Sequence, residues 1–238
     1  MRTIGLLGGM SCESTAVYYR LLNEGVRARL GGLHSARLLL WSADFAEIEE
    51  LQVAGEWDAA GALLGRQARA LETAGAESIL ICSNTMHRVA DAVQNAIRVP
   101  LLHLAEATAL AARKIGVGRP LLLGTRFTME QDFYLGGLRR RHGLDAVALG
   151  AAEDRAEVDR IIYEELCLGR ILPGSRERYL AVIHRAAREQ GADAVIYGCT
   201  EVGLLISPQN HPGLPGIDTT RVHVDAAIEF ALAHGRPM

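Results

Sequence analysis

The sequence predicts an α/β protein made of two similar halves, each with a parallel sheet that carries helices on both faces. Short β-rich runs alternate along the chain with longer segments of helical periodicity, which is the pattern of βαβ units. Several of these runs recur at an offset of 115 or 116 residues, close to half of the 238-residue chain. The alternation predicts the fold class, and the repeat predicts that the fold occurs twice.

The predicted strands are short apolar runs rich in branched side chains. In chain order they are Thr3–Leu7, Ala36–Trp41, Ser78–Ile81, Pro120–Leu123, Ala146–Leu149 and Ala194–Tyr197. Apolar residues at helical spacing predict helices between these runs, most clearly in Ala59–Glu72, Met129–Arg141 and Glu153–Leu168. The segment Pro208–Pro215, rich in glycine and proline, is predicted to be a loop.

The repeat brings chemically similar segments into register. Gly75–Ile81 matches Gly191–Tyr197 without a gap, and the same offset places Ser83 on Cys199. The other matches are Gly8 with Gly124, Tyr18 with Tyr134, Glu49–Gln52 with Glu164–Cys167, and Pro100–His103 with Pro215–Asp218. We therefore predict two pseudo-symmetric, doubly wound, Rossmann-like halves: residues 1–104 completed by residues 217–238, and residues 105–216. Since ligands of open α/β sheets bind beyond the carboxyl ends of the strands, we expect the active site in a cleft between the halves.

Charge and hydropathy argue against several partners. The net charge is −3 and no basic block is present, so a nucleic acid or a membrane surface is not an expected partner. No apolar run approaches the roughly 20 residues that a membrane span needs. The first residues, Met1–Gly5, lead directly into a predicted strand without the regions of a signal peptide.

Neither the cysteines nor the histidines predict a metal site. The four cysteines (Cys12, Cys82, Cys167 and Cys199) include no CxxC pair, and the eight histidines form no HExxH motif. Few, scattered cysteines also argue against a disulfide scaffold. We therefore expect a reduced, cytoplasmic protein without a metal.

Lysine is nearly absent, which bears on cofactor chemistry. Lys114 is the single lysine among 25 basic residues, and it lies at the predicted end of a helix. Enzymes that apply pyridoxal phosphate to amino acids hold it as a lysine Schiff base. Because Lys114 is badly placed for that bond, we expect no pyridoxal phosphate and predict no other cofactor.

Two strand ends carry residues suited to chemistry. Small polar residues follow the strands in Ile81–His87 and in Tyr197–Glu201, just before predicted helices. Backbone N–H groups at a helix N-terminus bind carboxylates and lower the pKa of a cysteine, so Cys199 is a candidate thiolate. The same residue types are also ordinary helix caps, and a cysteine after a strand is often a core residue, so both interpretations stay open. His87 and His103, near the same ends, are interpreted as structural.

The motifs together resemble the aspartate/glutamate racemase family. The residues that carry the resemblance are Gly5–Ser11, Ser83–His87, Gly124–Met129 and Gly198–Glu201, and the similarity runs almost from end to end. It implies two α/β halves around one active site, catalysis without pyridoxal phosphate, an amino-acid substrate and a homodimer. In typical members a cysteine from each half faces the substrate α-carbon, one removing the proton and the other returning it.

The resemblance assigns roles to individual residues. Cys199 matches one catalytic cysteine, whereas Ser83 stands where the other is expected, as in a branch of the family with a hydroxyl residue there and broad specificity. Cys82 is one residue too early, and a one-residue shift at a strand end points its side chain to the other face. The substrate-binding positions are expected at Met10, Gln52, Asn84, Thr85, Thr125, Cys167, Thr200 and Glu201.

The same comparison bears on the substrate. Aspartate-specific relatives carry an arginine and a lysine near the positions of Gln52 and Cys167, and this chain has neither. We therefore expect a polar, homoserine-like side chain to be preferred over aspartate or glutamate. Two alternatives remain open: a relative of the hydantoin racemase or maleate isomerase type, and a binding module for amino acids without catalytic activity.

Overall fold

Two separate parallel sheets organise the protein, and the predicted α/β fold class is confirmed. The computed structural model describes residues 1–233, so residues 234–238 of the predicted first half lie outside the described residues. The chain divides into a first unit, Met1–His103 with the segment from His223 onward, and a second unit, Leu104–Val222. Among the described residues no helix is both long and apolar enough to cross a membrane.

The first unit is a three-stranded sheet flanked by helices. Its elements are β1 (Ile4–Gly8), α1 (Cys12–Leu30), β2 (Leu38–Ser42), α2 (Phe45–Ala54), α3 (Trp57–Thr73), β3 (Ser78–Ile81), a 3-10 helix (Thr85–Val89) and α4 (Ala90–Ala96). The strand order is β2-β1-β3, all parallel, and Leu101 adds a parallel bridge to Ile79 on the outer side of β3. Strand β1 is buried throughout because helices cover both faces of the sheet, as expected for a parallel strand.

The second unit repeats this arrangement. Its elements are α5 (Leu104–Lys114), β4 (Pro120–Leu123), α6 (Arg126–Glu130), α7 (Asp132–His142), β5 (Val147–Ala148), α8 (Ala152–Glu164), α9 (Pro173–Gln190), β6 (Ala194–Tyr197), α10 (Val202–Leu205), β7 (Gly216–Asp218) and α11 (Thr219–Leu232), with 3-10 helices at Leu166–Leu168 and Pro208–Asn210. The order β5-β4-β6-β7 is also parallel throughout. The chain passes from the second unit back to the first within α11. In each unit the first strand (β1 or β4) therefore lies in the interior of the sheet. The strand that precedes Ser83 or Cys199 (β3 or β6) pairs with it.

The first helix shows how local sequence fixes the elements. Ser11 caps α1 by accepting a hydrogen bond from the Ser14 N–H at 3.3 Å. One face of α1, with Tyr18 and Leu22, is buried in a cluster that also holds Ile4 and Leu6 of β1. Apolar side chains at i and i+4 thus place α1 against the sheet.

Three of the predicted boundaries differ from the structure for identifiable reasons. The helix predicted over Met129–Arg141 is broken because Gln131 adopts an extended backbone (φ −100°, ψ 143°) between α6 and α7. The helix predicted over Glu153–Leu168 ends at Glu164, where Glu165 turns inward to accept a 2.5 Å hydrogen bond from Ser175. Residues 217–222, assigned to the first half, lie in the second unit because β7 pairs with β6.

Candidate active site

The loop that follows β6 places Cys199 at the carboxyl end of the second sheet. The Gly198 N–H donates to the Leu123 carbonyl at 2.6 Å, so this loop continues alongside β4. A Cβ at Gly198 would come within 2.3 Å of Leu122 Cδ1, and one at Gly124 would come within 2.6 Å of the Gly198 carbonyl oxygen. Glycine at both positions therefore allows the two strand-end loops to touch, with Cys199 next in the chain.

Cys199, Thr200 and Glu201 form a hydrogen-bonded group. The Cys199 thiol donates to Glu201 Oε2 at 2.8 Å, and the Thr200 hydroxyl donates to the same oxygen at 2.6 Å. All three side chains are buried, and Glu201 is 1% exposed. A buried carboxylate that accepts a thiol proton in a hydrogen bond is positioned to receive that proton outright.

The predicted lowering of the Cys199 pKa is wrong. Burial raises the pKa of this thiol well above its usual range, and the negative charge of Glu201 raises it further. The helix that was expected to lower it, α10, has only four residues, and Glu201 lies between it and the thiol in the chain. In the resting protein Cys199 is therefore a protonated thiol bonded to a carboxylate.

Other residues of the second unit surround this group. Cys167 packs against the apolar cluster that contains Cys199, and the ionised form of Cys167 adds to the raised pKa of Cys199. Thr125 caps α6 by accepting the Thr128 N–H, which fixes the loop after β4. The predicted residues Thr125, Thr200, Glu201 and Cys199 thus all lie on loops at the carboxyl ends of β4 and β6.

Sequence reasoning missed two polar side chains of this region. Tyr179 is buried, and its pKa is raised by burial and then by the thiolate form of Cys199. Asp159 accepts the Arg126 N–H at 2.7 Å and so anchors the loop after β4; burial raises the pKa of this carboxyl. Both lie within amphipathic helices, where nothing in the local pattern separates them from surface polar residues.

In the first unit, Ser83 occupies the position equivalent to Cys199. It follows β3, is 6% exposed, and its Oγ accepts the Met86 N–H at 3.4 Å. Within the part of the chain that the structure describes, this is the hydroxyl's hydrogen bond, and its own proton is donated to no protein atom. Ser83 is therefore equipped to donate a proton.

The other predicted residues of the first unit gather around Met86. Gln52 is buried and donates from Nε2 to Met86 Sδ at 3.1 Å. Met10 and Met86 belong to one apolar cluster, while Asn84 and Thr85 are buried at the start of the 3-10 helix. The structure thus brings Ser83, Met86 and Gln52 together through hydrogen bonds.

Cys82 faces away from this loop. Its side chain is fully buried in the cluster with Ile4, Leu6 and Tyr18, and burial raises the pKa of its thiol. The direction of this side chain is as expected from the one-residue shift relative to Ser83.

A group of histidine side chains packs next to the Ser83 loop. His87 Nδ1 donates to the Ser83 carbonyl at 2.7 Å, since a carbonyl only accepts, and its ring lies 4.8 Å from that of His103 and 5.7 Å from that of His223. His223 Nε2 donates to the Leu102 carbonyl at 2.7 Å, and Nδ1 therefore accepts from the Tyr18 hydroxyl at 2.9 Å. These bonds give His87 a structural role, because its ring holds the backbone of the Ser83 loop.

The two sheets, each followed by a thiol or hydroxyl side chain at the same strand end, define a two-unit α/β protein. A family model for Asp/Glu/hydantoin racemases matches residues 7–227. The chain therefore belongs to the Asp/Glu/hydantoin racemase family, whose members are isomerases.

Solved structures agree with this assignment. A candidate Asp/Glu racemase from Yersinia pestis is 50% identical, with 98% of this chain and 100% of that chain covered and a TM-score of 0.89. An aspartate racemase homologue from Pyrococcus horikoshii OT3 is 35% identical over 97% of this chain and 99% of that chain, with a TM-score of 0.84. The aspartate racemase of Picrophilus torridus shares the fold, at 22% identity, coverage of 97% and 94%, and a TM-score of 0.81.

Proposed function

We propose that the protein is a cofactor-independent amino-acid racemase that interconverts L- and D-amino acids by removing and returning the α-proton. The observation that carries the proposal is the 2.8 Å hydrogen bond from the Cys199 thiol to Glu201 in a chain of the racemase family. It supplies a thiol together with an acceptor for its proton. In this proposal Ser83 and Cys199 act on opposite faces of one substrate α-carbon.

The raised pKa of Cys199 requires Glu201 to take part. The thiol proton passes to Glu201 Oε2, and the resulting thiolate removes the substrate α-proton. The thiol is then restored, and Glu201 holds the first proton as a neutral carboxylic acid. Thr200 donates to the same carboxylate oxygen and keeps it oriented toward the thiol. Glu201 is thus a positioning and proton-holding residue that acts through Cys199.

Ser83 returns a proton to the opposite face of the carbanion. Its hydroxyl is directed by the Met86 N–H, and it donates directly or through a water molecule. Solvent water then returns a proton to the Ser83 oxygen, and Glu201 releases its extra proton to solvent, which resets the site. A serine hydroxyl is a much poorer base than a thiol, whose reference pKa is about 8.5. We therefore expect the enzyme to exchange one enantiomer faster than the other.

The substrate is proposed to be a polar amino acid such as homoserine, within a broad range. Gln52, at the position where aspartate-specific relatives carry an arginine, is buried and already bonded to Met86. Cys167 stands at the lysine position and supplies no cationic group. Loss of two charge-assisted contacts removes roughly 1.5–3 kcal/mol each from the binding of a dianionic substrate. Aspartate is therefore expected to be a weaker substrate than homoserine.

Asn84, Thr85 and Thr200 are proposed to bind the substrate α-carboxylate, and Met10 and Thr125 are proposed as further substrate contacts. Both strand-end loops contain buried side chains with hydroxyl or amide groups. Backbone N–H groups and hydroxyls at such positions bind carboxylates without a cation.

Exchange of the α-proton in D2O tests the proposal directly. L- and D-homoserine, aspartate, glutamate and a hydantoin are incubated with the protein without pyridoxal phosphate, and loss of the α-proton signal is followed by NMR. We expect exchange for amino acids, fastest for homoserine. Binding without exchange supports a binding module instead, and exchange of the hydantoin alone supports the hydantoin racemase alternative.

Variants assign the roles within the site. Cys199→Ala is expected to abolish exchange, whereas the exposed Cys12→Ala serves as a matched control that leaves it unchanged. Ser83→Cys is expected to make the rates from the two enantiomers more equal. Unchanged directional rates in that variant would contradict the role given to Ser83.

Glu201→Gln separates proton acceptance from simple packing. The amide removes the charge that raises the Cys199 pKa, so alkylation of Cys199 by iodoacetamide is expected to become faster. Because the amide cannot take the proton, α-proton exchange is expected to become slower. A variant in which both rates fall together would indicate a packing role only.

We propose that the protein is a homodimer, as its resemblance to the racemase family implies, and that it works in the reducing cytoplasm, since its cysteines are few and scattered along the sequence. The exposed edge strand β2 carries Leu40, which is 47% exposed, and the neighbouring helix α1 carries Tyr19, which is 55% exposed. Apolar side chains at a sheet edge are typical of surfaces covered by a partner. Light scattering of wild type and Leu40→Lys tests this, and a monomeric wild type would overturn it.

A further inference from the structure

A cavity in the second unit lies apart from the Cys199 group. It has a volume of about 440 Å³ and opens between α5, the loop that follows α10, and the start of α11. Cys199, Thr200, Glu201 and Thr125 are not among its lining residues. This volume lies in the range of small-molecule sites.

The walls of the cavity are mostly apolar. Ile206, Ile217 and the ring of Tyr197 form a buried floor, and Ala111 and Pro208 form part of the sides. Burying an apolar body against such walls is favourable at roughly 25 cal/mol for each Å² removed from water.

Glycine keeps part of the cavity open. A Cβ at Gly216 would lie 2.6 Å from Tyr197 Oη and 2.9 Å from Pro208 Cγ, so any larger residue would push the wall inward. The Tyr197 hydroxyl donates to His211 Nε2 at 2.7 Å, because His211 Nδ1 is bonded to the Leu214 carbonyl. The phenol oxygen therefore retains acceptor capacity, while its proton is already used.

One cation stands at the mouth. Arg221 Nε lies 3.4 Å from Asp218 Oδ2, and this is its ion pair within the described residues. Asp218 Oδ1 accepts hydrogen bonds from the backbone N–H groups of Thr220 and Arg221, so this carboxylate caps the N-terminus of α11. The remaining guanidinium N–H groups of Arg221, whose side chain is 65% exposed, are available to a ligand.

We propose that this cavity binds a small organic carboxylate with an apolar body. The apolar part occupies the floor formed by Ile206 and Ile217, and the carboxylate accepts hydrogen bonds from Arg221 at the mouth. A planar guanidinium matches a carboxylate in two parallel hydrogen bonds, which a neutral head group cannot reproduce. Binding here is independent of the proposed racemase activity.

Three probes of equal shape and different charge test the assignment. The affinities of 3-phenylpropionate, 3-phenylpropan-1-ol and 3-phenylpropylamine for the full chain are measured by saturation-transfer NMR titration. We expect the acid to bind about fivefold more tightly than the alcohol, and the amine to bind most weakly. Equal affinities for the acid and the alcohol, or no binding of the acid, would overturn the proposal.

Variants then locate the bound probe. Arg221→Gln is expected to reduce the affinity for the acid to that of the alcohol, whereas Arg221→Lys keeps part of the preference. Arg188→Gln makes the same charge change at an exposed position outside the cavity and is expected to change nothing. Ala111→Phe fills the cavity from α5 and is expected to weaken all three probes. An unchanged affinity for the acid in Arg221→Gln refutes the site, even if Ala111→Phe does not fold.

Discussion

The buried histidines of the first unit predict that its stability falls steeply on acidification. Burial, foremost, lowers the pKa of His223 from its ordinary 6.5 to about 4, and the nearby His103 adds to this. The pKa of His87 is lowered by burial and by both neighbouring histidines. Since the unfolded chain takes up these protons first, the stabilisation is present above pH 6.5 and is lost as the pH falls toward 4. At about 1.4 kcal/mol for each pH unit, His223 alone accounts for a loss of about 3 kcal/mol.

His223→Gln isolates this contribution. A glutamine side chain has a donor for the Leu102 carbonyl and an acceptor for the Tyr18 hydroxyl, but it does not titrate. Between pH 6 and 4.5, the free energy of unfolding is expected to fall less steeply in the variant than in the wild type, by about 1.4 kcal/mol for each pH unit.

Tryptophan fluorescence reports the unfolding of this unit specifically. Both tryptophans, Trp41 and Trp57, lie in the first unit, so urea titrations followed by fluorescence measure its free energy of unfolding at each pH. His184→Gln, at an exposed position of the second unit, is the matched control and should keep the wild-type slope. Identical pH slopes for wild type and His223→Gln would refute the reasoning.

Two further predictions concern the turn after β1 and the order in which thiols react. Gly9→Ala is expected to cost more than Gly75→Ala in the same urea titrations. Both glycines have positive φ (84° and 105°), a conformation that costs alanine about 1–3 kcal/mol. Only at Gly9 would the added Cβ also clash with backbone, because it would lie 2.3 Å from the backbone nitrogen of Ala43. Equal costs would show that backbone conformation alone decides. With iodoacetamide at pH 7.5, exposed Cys12 is expected to react well before buried Cys82, as judged by peptide mass spectrometry, because burial raises the pKa of the Cys82 thiol; simultaneous labelling of both would contradict this.

Much of the fold was predictable because the buried strands leave a strong local signal. Strands β3, β4 and β6 have the predicted ends, since each is a run of four buried residues that begins directly after a charged residue. Strand β7 was not predicted as a strand, because Gly216–Asp218 is short and holds a single branched residue. Its pairing with β6 depends on a contact between residues about 20 positions apart in the chain.

The placement of Ser83 and Cys199 at strand ends was predictable, whereas the protonation state of Cys199 was not. The repeat identified Ser83 and Cys199 as equivalent, and both follow the third strand of their units. The protonation state of Cys199 depends instead on how deeply the loop is buried and on the direction of the Glu201 side chain. Those features arise from tertiary packing. They could not be predicted from the position of Cys199 at a helix N-terminus, because that prediction used adjacent residues only.

The return of α11 to the first unit sets an order for biosynthesis. The second unit is continuous in the chain and is complete once Val222 has left the ribosome. The first unit lacks the buried side chains Val224, Ala227 and Ile228, and the His223 partner of Tyr18, until α11 emerges. The half that is synthesised first is therefore the half that finishes folding last, and its apolar cluster around Tyr18 remains open to water, or to a chaperone, during most of translation.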